Sequence, residues 1–81
     1  MSEGLVNYDP PAWWESHIEL EVYGYELDGK GAWEWVVWGP DEEGPLVSKG
    51  GFSLRDTALR DASYWLDARR ELIEQGKFEH L

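Results

Sequence analysis

Residues 17–38, HIELEVYGYELDGKGAWEWVVW, hold two apolar segments on either side of a glycine-rich turn. Apolar and polar residues alternate strictly from His17 to Val22, which predicts a half-buried antiparallel strand with an acidic, solvated face. Residues 28–31 contain two glycines that can adopt positive φ, as a tight hairpin requires. The second segment is apolar on both faces apart from Glu34, which is typical of a central strand. The stretch therefore predicts a β-hairpin.

The remainder of the chain predicts a third strand and one long helix. Residues 46–49 are expected to form a short third strand that ends at two consecutive glycines. From Ser53 a capping-box pattern, with Asp56 in place of the usual Glu, opens a helix that Gly76 ends. The apolar stripe of this helix repeats at 3.6-residue spacing. Its members are Leu54, Ala58, Ala62, Trp65, Leu66, Leu72 and Ile73.

These elements predict an α+β fold, with a three-stranded antiparallel sheet in β-β-β-α order and one long C-terminal helix packed on one face. We expect a single domain, since 81 residues are too few for two. Its parts are an extended N-terminal arm (1–12), the antiparallel sheet (13–52), the helix (53–76) and a tail (77–81). Two residues interrupt the patterns. Gly24 predicts a bulge in the first strand, and Arg69, within the apolar stripe, predicts a salt bridge to the acidic half of the chain.

Charge is divided unevenly along the chain. Residues 1–48 hold eleven carboxylates and one lysine, which gives 1 − 11 = −10, whereas the six basic and six acidic residues of 49–81 cancel. A net charge of −10 disfavours direct binding to DNA, RNA or anionic membranes, because these partners need a cationic surface. The charge instead favours a basic protein surface as the partner. Solubility alone also explains an acidic total, but it explains the uneven division less well.

Six tryptophans are more than one buried layer can readily cover. We expect Trp33, Trp35 and Trp65 to fill the layer between the sheet and the helix. Trp13, Trp14 and Trp38 are then expected to be exposed anchors, since tryptophan is enriched in interface hot spots. At least one aromatic patch should consequently face solvent or a second copy of the chain.

No arrangement of residues typical of an enzyme is found. His17 and His80 are the two histidines, and no nucleophile motif or phosphate-binding loop accompanies them. Glu19 and Glu21 share a strand face with His17, but neighbours on such a face lie about 7 Å apart, too far for a tight metal site. We therefore expect no catalytic residue, cofactor or metal. Without cysteine, a signal-peptide pattern or a long apolar run, the chain is expected to be a cytoplasmic protein.

The function that these features favour is a non-enzymatic, acidic protein-binding module that engages a basic surface of a partner. Alternate carboxylates on a strand lie about 7 Å apart, close to the separation of successive phosphates, so the sharpest form of this hypothesis is a nucleic-acid mimic that inhibits a DNA- or RNA-binding protein. The expected partner-binding residues are Glu19, Glu21, Glu34, Asp41, Glu42, Glu43, Trp13, Trp14 and Trp38.

Two resemblances extend these hypotheses. In size, acidity and lack of cysteine the chain resembles phage-encoded inhibitors of host defence or transcription, such as anti-restriction and anti-CRISPR proteins, which implies a nucleic-acid-binding protein as the partner. The β-β-β-α order with Ser53, Ala58, Ala62, Trp65 and Leu66 resembles the small domain of HicB-type antitoxins, which implies a regulatory domain that homodimerises through its aromatic sheet face. A third hypothesis is carbohydrate binding, with coplanar tryptophans as stacking platforms.

Overall fold

A computed structural model describes residues 12–41 and 44–81. It contains three antiparallel strands in the order β1-β2-β3, followed by helices, and so confirms the α+β fold class. Most of the arm expected at residues 1–12 lies outside the described residues. The strands are β1 (Glu19–Leu27), β2 (Lys30–Trp38) and β3 (Pro45–Phe52); the helices are α1 (Arg55–Ala68) and α2 (Arg70–Glu74), with short 3₁₀ helices at Trp13–Ser16 and Phe78–His80.

The hairpin of β1 and β2 forms where the sequence predicts it. Asp28 and Gly29 have φ values of 52° and 77°, and this pair of positive angles gives the turn the right-handed twist of the flanking strands. Pairing then continues without interruption along both strands. The bulge expected at Gly24 is therefore wrong. Gly24 stays in register opposite Trp33, whose ring packs over the space that a side chain would fill.

Strand β3 runs through the two glycines that were expected to end it. The pairing between β2 and β3 shifts opposite Glu34, where Gly50 and Gly51 form a bulge. Gly51 adopts a φ of 89° and donates its N–H to the Tyr25 hydroxyl at 2.8 Å. A Cβ on Gly50 would lie 2.8 Å from that same hydroxyl oxygen. Because glycine permits both the conformation and the close approach, the strand bends at this point instead of ending.

The core lies between the sheet and α1. Ile18, Leu20 and Val22 are buried, as the alternation predicts, and Trp35 fills the centre of the layer at 1% exposure. Burying this apolar surface is the main favourable contribution to the folding free energy. The buried cluster consists of Trp14, Ile18, Leu20, Val22, Trp35, Val37, Ala58, Ala62, Leu66 and Ile73.

Helix α1 starts later than the capping-box pattern predicts. Leu54 is the N-cap, with extended backbone angles and no side-chain capping bond. Ser53 then lies one position before the cap, so the predicted reciprocal bond between Ser53 and Asp56 is absent. Leu54 was also expected in the apolar stripe, but at the N-cap it does not share the helical periodicity and is 63% exposed.

The single helix expected at residues 53–76 is divided at Arg69. The Arg69 N–H bonds to the Leu66 carbonyl at 3.0 Å, which tightens the last turn of α1. The Arg69 side chain was expected to bond to a carboxylate, but its guanidinium donates to the Trp65 carbonyl at 3.2 Å. It also lies over the Trp65 ring, 4.4 Å from the ring centroid. The expected salt bridge is thus wrong, since no carboxylate of the described residues pairs with Arg69.

The two ends of the described chain pack closer to the core than predicted. Trp13–Ser16 form a 3₁₀ helix and not the first part of the sheet. After α2, Gly76 at φ 72° ends the helix, and the Lys77 N–H bonds to the Leu72 carbonyl at 2.9 Å, a Schellman arrangement. Beyond it, Phe78 and Leu81 pack against the core, so residues 77–81 are not a loose tail.

The substitution Leu66→Ala tests the packing of α1 on the sheet. Because Leu66 is fully buried, we expect the substitution to lower the free energy of unfolding by about 2–5 kcal/mol. Leu54→Ala is the matched control, because the same atoms are removed from an exposed side chain, and its effect should stay within about 0.5 kcal/mol. Urea unfolding followed by tryptophan fluorescence measures both. Equal losses in the two variants would contradict the assignment of the core.

Candidate functional site

Helix α1 covers one face of the sheet, and we call the opposite side the outer face. Its side chains follow from the alternation along each strand and from the pairing register. No helix of the described residues packs on it, since the core cluster takes its sheet residues from the other face. The outer face includes Glu19, Glu21, Tyr23, Tyr25 and Leu27 from β1, Lys30, Ala32, Glu34, Val36 and Trp38 from β2, and Ser48 and Gly50 from β3.

Of the three expected partner-binding carboxylates on the outer face, Glu19, Glu21 and Glu34, two accept hydrogen bonds from neighbouring aromatic residues. The indole Nε1 of Trp38 donates to Glu21 Oε1 at 2.5 Å, diagonally across the hairpin. The Tyr23 hydroxyl bonds to the carboxylate of Glu34, its direct cross-strand neighbour. Glu19 is exposed, whereas Glu21 and Glu34 are half-buried. The outer face therefore carries two aromatic–carboxylate pairs and, at one end of β1, the exposed carboxylate of Glu19.

The electrostatic effect of these carboxylates is seen at Tyr23. Its hydrogen bond to the Glu34 carboxylate raises the pKa of the Tyr23 hydroxyl above the ordinary tyrosine value. Desolvation and the negative charges of Glu34 and Glu21 raise it further, because ionised Tyr23 would add a third negative charge. The outer face thus carries a field that disfavours anions.

The exposure of the apolar and aromatic residues varies across the outer face. Val36 is only 5% exposed although it lies outside the core cluster. The Trp38 side chain extends from the same face to Glu21, the direct cross-strand partner of Val36. Tyr23 remains 39% exposed. Its ring centroid lies 6.5 Å from that of Tyr25, with the rings tilted by 55°.

Basic side chains are nearly absent from this face. All seven lysines and arginines of the sequence lie in the described residues, and five of them follow Phe52. Lys49 lies on the helix side, where it pairs with Asp61 at 3.3 Å. Only Lys30 shares the alternation of the outer face, and it sits at the hairpin turn, roughly 26 Å along β2 from Trp38. The sheet therefore has one acidic face.

The three tryptophans predicted as exposed anchors are not brought together. Trp14 is 5% exposed and belongs to the core, so its expected exposure is wrong: the 3₁₀ helix turns this side chain under the sheet. Trp13 lies half-buried beside the helices, where its indole donates to Asp67 at 3.0 Å. Only Trp38 lies on the outer face. Of the expected core tryptophans, Trp35 is buried, while Trp33 and Trp65 are partly buried against the core.

A cleft opens where the outer face meets the N-terminal 3₁₀ helix. It has a volume of about 510 Å³ and lies between this helix and the residues that follow β2. Trp38 forms its aromatic wall, and Glu15, Glu19 and Asp41 supply exposed carboxylates beside half-buried His17. Glu42 and Glu43, the other acidic residues predicted in this loop, lie outside the described residues.

Tyr23, Tyr25 and Val36 lie on the outer face but are not among the partner-binding residues that the sequence predicts. A signal for them was present, since a two-residue turn at Asp28-Gly29 places Tyr23 opposite Glu34 once the hairpin is accepted. Register in a hairpin is set by its turn, and register decides which side chains meet.

Within residues 12–41 and 44–81, no three His, Asp or Glu side chains are grouped so that they could hold a metal ion. None of the helices in these ranges combines the length and apolar character needed to cross a bilayer. Comparison with protein families, curated proteins and solved structures gives no match. The function is therefore inferred from the geometry of the outer face.

Replacement Glu34→Gln tests the electrostatics of the outer face. Removing the carboxylate charge should lower the pKa of Tyr23 toward the ordinary tyrosine value, as measured by ¹³C NMR of the ring carbon that bears the hydroxyl. In the wild type, the neutral hydroxyl stabilises the fold fully below the ordinary tyrosine pKa, and this contribution is lost as pH rises through the raised value. The alkaline loss of stability should consequently be smaller in Glu34→Gln.

The control for this titration is Glu71→Gln, which removes one exposed carboxylate from α2. It should leave the Tyr23 titration unchanged, because Glu71 is not among the groups that raise that pKa. An identical Tyr23 midpoint in the wild type and Glu34→Gln would show that the two side chains do not interact.

Proposed function

We propose that this protein is a non-enzymatic binding module whose outer face engages a basic surface of a partner protein. The observation that carries the proposal is the composition of that face, where carboxylates and aromatic rings stand side by side with a single lysine at the far end. Such a face can bury aromatic area and neutralise cationic groups in one contact. Aromatic anchors supply much of the affinity of protein interfaces, and complementary charge supplies specificity and fast association.

The hydrogen bonds of the outer face support a binding role because they hold the aromatic side chains in place. Trp38 is oriented by Glu21, and Tyr23 is oriented by Glu34. A side chain that is already ordered loses less conformational entropy when a partner binds. The carboxylates keep further lone pairs for donors from the partner.

Self-association through this face is the less favoured alternative. Two copies would place Glu19, Glu21 and Glu34 of one chain near the same carboxylates of the other, with Lys30 alone to compensate. Like charges brought together in an interface are unfavourable by several kcal/mol. The antitoxin-like homodimer is therefore the alternative that the molar mass of the free protein tests below.

Carbohydrate binding is also less favoured, since stacking on a sugar needs flat aromatic platforms. Tyr23 and Tyr25 are tilted by 55° to each other, and Trp14 is in the core. Coplanar tryptophans, on which that hypothesis depended, are not available on the outer face.

A finer form of the proposal is that the basic partner is a nucleic-acid-binding protein, which the acidic face inhibits by occupying its phosphate-binding groove. Glu19 and Glu21 are alternate residues of β1 and lie about 7 Å apart along it, close to the separation of successive phosphates. Phage anti-defence or anti-CRISPR-like inhibition is one setting in which such a protein would act. This form predicts that nucleic acid competes with the protein for its partner.

The test compares the wild type with a triple variant, Glu19→Gln, Glu21→Gln and Glu34→Gln, as immobilised baits for host proteins. Glutamine keeps the acceptor oxygens that Trp38 and Tyr23 use, so the variant loses charge with little loss of structure. The wild type should retain a basic protein at low salt and release it by about 0.5 M salt, where the Debye length is roughly 4 Å. The triple variant should not retain it, and added duplex DNA should compete with the wild type.

The matched control carries Glu71→Gln, Glu74→Gln and Glu79→Gln. It loses the same three negative charges from residues that follow α1, and it should bind the partner like the wild type. Retention of the partner by the outer-face variant, or binding that persists above 0.5 M salt, would contradict the proposal. Light scattering on the free protein covers the alternative, since a stable two-chain mass would favour the homodimer.

A further inference from the structure

Three tryptophans of this protein share one arrangement, in which the indole Nε1 donates to a carboxylate. Trp13 donates to Asp67 at 3.0 Å, Trp35 to Asp61 at 3.1 Å, and Trp38 to Glu21 at 2.5 Å. Each bond holds a negative charge at the edge of an electron-rich ring. That combination attracts a cation to the ring face or to the carboxylate.

In two of the three arrangements a cation of the same chain is in place. The Arg70 guanidinium lies over the Trp13 ring, 5.0 Å from its centroid, next to the bond with Asp67. The Lys49 ammonium lies 3.3 Å from the Asp61 oxygen that accepts the Trp35 bond. The fold therefore completes these two tryptophan–carboxylate pairs internally.

Among the described residues, no such cation accompanies the pair of Trp38 and Glu21. Every lysine and arginine of the sequence is among the described residues, and none lies over the Trp38 ring or pairs with Glu21. Lys30, on the same face, is too far along β2 to reach them. The third arrangement thus has a ring and a carboxylate but lacks the positive charge that the other two contain.

The Trp38 ring is also the one that lines the cleft described above. The cleft is open to solvent, its volume of about 510 Å³ is in the range of small-molecule sites, and Glu15, Glu19 and Asp41 line it. All three carboxylates are exposed and available to donors that enter from outside. An aromatic wall with several carboxylate acceptors suits a planar, multiply donating cation better than a compact ammonium.

We propose that this cleft binds an arginine side chain presented by the basic partner, with the guanidinium stacked on Trp38 and its N–H groups on the surrounding carboxylates. The proposal rests on the proposed function and names the chemistry of its anchor. The protein itself provides the precedent for the stacking geometry, since Arg69 lies 4.4 Å from the centroid of the Trp65 ring. A guanidinium can stack and donate two parallel hydrogen bonds at once, whereas a lysine ammonium cannot.

The test uses three blocked tripeptides, Gly-Arg-Gly, Gly-Lys-Gly and Gly-citrulline-Gly, titrated into ¹⁵N-labelled full-length protein. The arginine peptide should shift the Trp38 indole and Gly39 amide signals in a saturable way. The lysine peptide should bind roughly two- to five-fold more weakly, and the neutral citrulline peptide should give no saturable shift. Equal shifts with arginine and citrulline, or equal affinities for arginine and lysine, would overturn the proposal.

A pair of variants locates the binding site without disturbing the core. Glu19→Gln with Asp41→Asn removes two exposed carboxylates from the cleft and should weaken arginine binding about five-fold. Glu26→Gln with Glu79→Gln makes the same charge change elsewhere and should alter it less than two-fold. Equal weakening in both pairs would show that only net charge matters and would overturn the cleft as the site.

The result also separates this proposal from the proposed function. If the triple outer-face variant loses its basic partner while the tripeptides show no arginine preference, the outer face binds and the cleft proposal is wrong. If the arginine peptide binds at the cleft but no partner depends on the outer-face carboxylates, the proposed function is wrong and the arginine site stands alone.

Discussion

The packing of one helix on one face of a three-stranded sheet determines the rest of this structure. Ala58, Ala62 and Leu66 of α1 are all fully buried, and the two alanines let the helix approach the sheet closely enough for Trp35 to fill the layer between them. A sheet has two faces, however, and a single helix can cover only one. The second face of β2 is nevertheless apolar at Val36 and Trp38, and no helix of the described residues packs on it.

The outer face pairs aromatic rings with carboxylates across the hairpin. Trp38 extends to Glu21, Tyr23 bonds to Glu34, and Tyr25 accepts the Gly51 N–H from the bulge of β3. Val36 lies on the same face and is 5% exposed. The same arrangement leaves negative charge next to partly exposed rings, which are the groups that a cationic partner can contact. The features that stabilise the uncovered face are thus also the features that make it suited to binding.

Much of the fold was predictable because its signals are local. Strict alternation in β1 and the turn at Asp28-Gly29 depend on neighbouring residues, and both the hairpin and the buried side chains of β1 agree with them. Predictions failed where a distant contact decides the outcome. The bend at Gly51 exists because Tyr25 approaches from another strand, and the break at Arg69 depends on the carbonyl and ring of Trp65. Neither contact is visible in a periodic pattern.

The sequence by itself determined that this protein has an acidic sheet next to a charge-balanced helix, since charge and alternation are properties of the residues in order. Only the tertiary structure decided how each tryptophan is used. Trp14 enters the core, and Trp13 lies under the Arg70 guanidinium. Trp35 donates to Asp61, which pairs with Lys49, and Trp38 remains at the edge of an acidic cleft. Identical side chains cannot be told apart by composition, because burial and pairing depend on which elements converge in space.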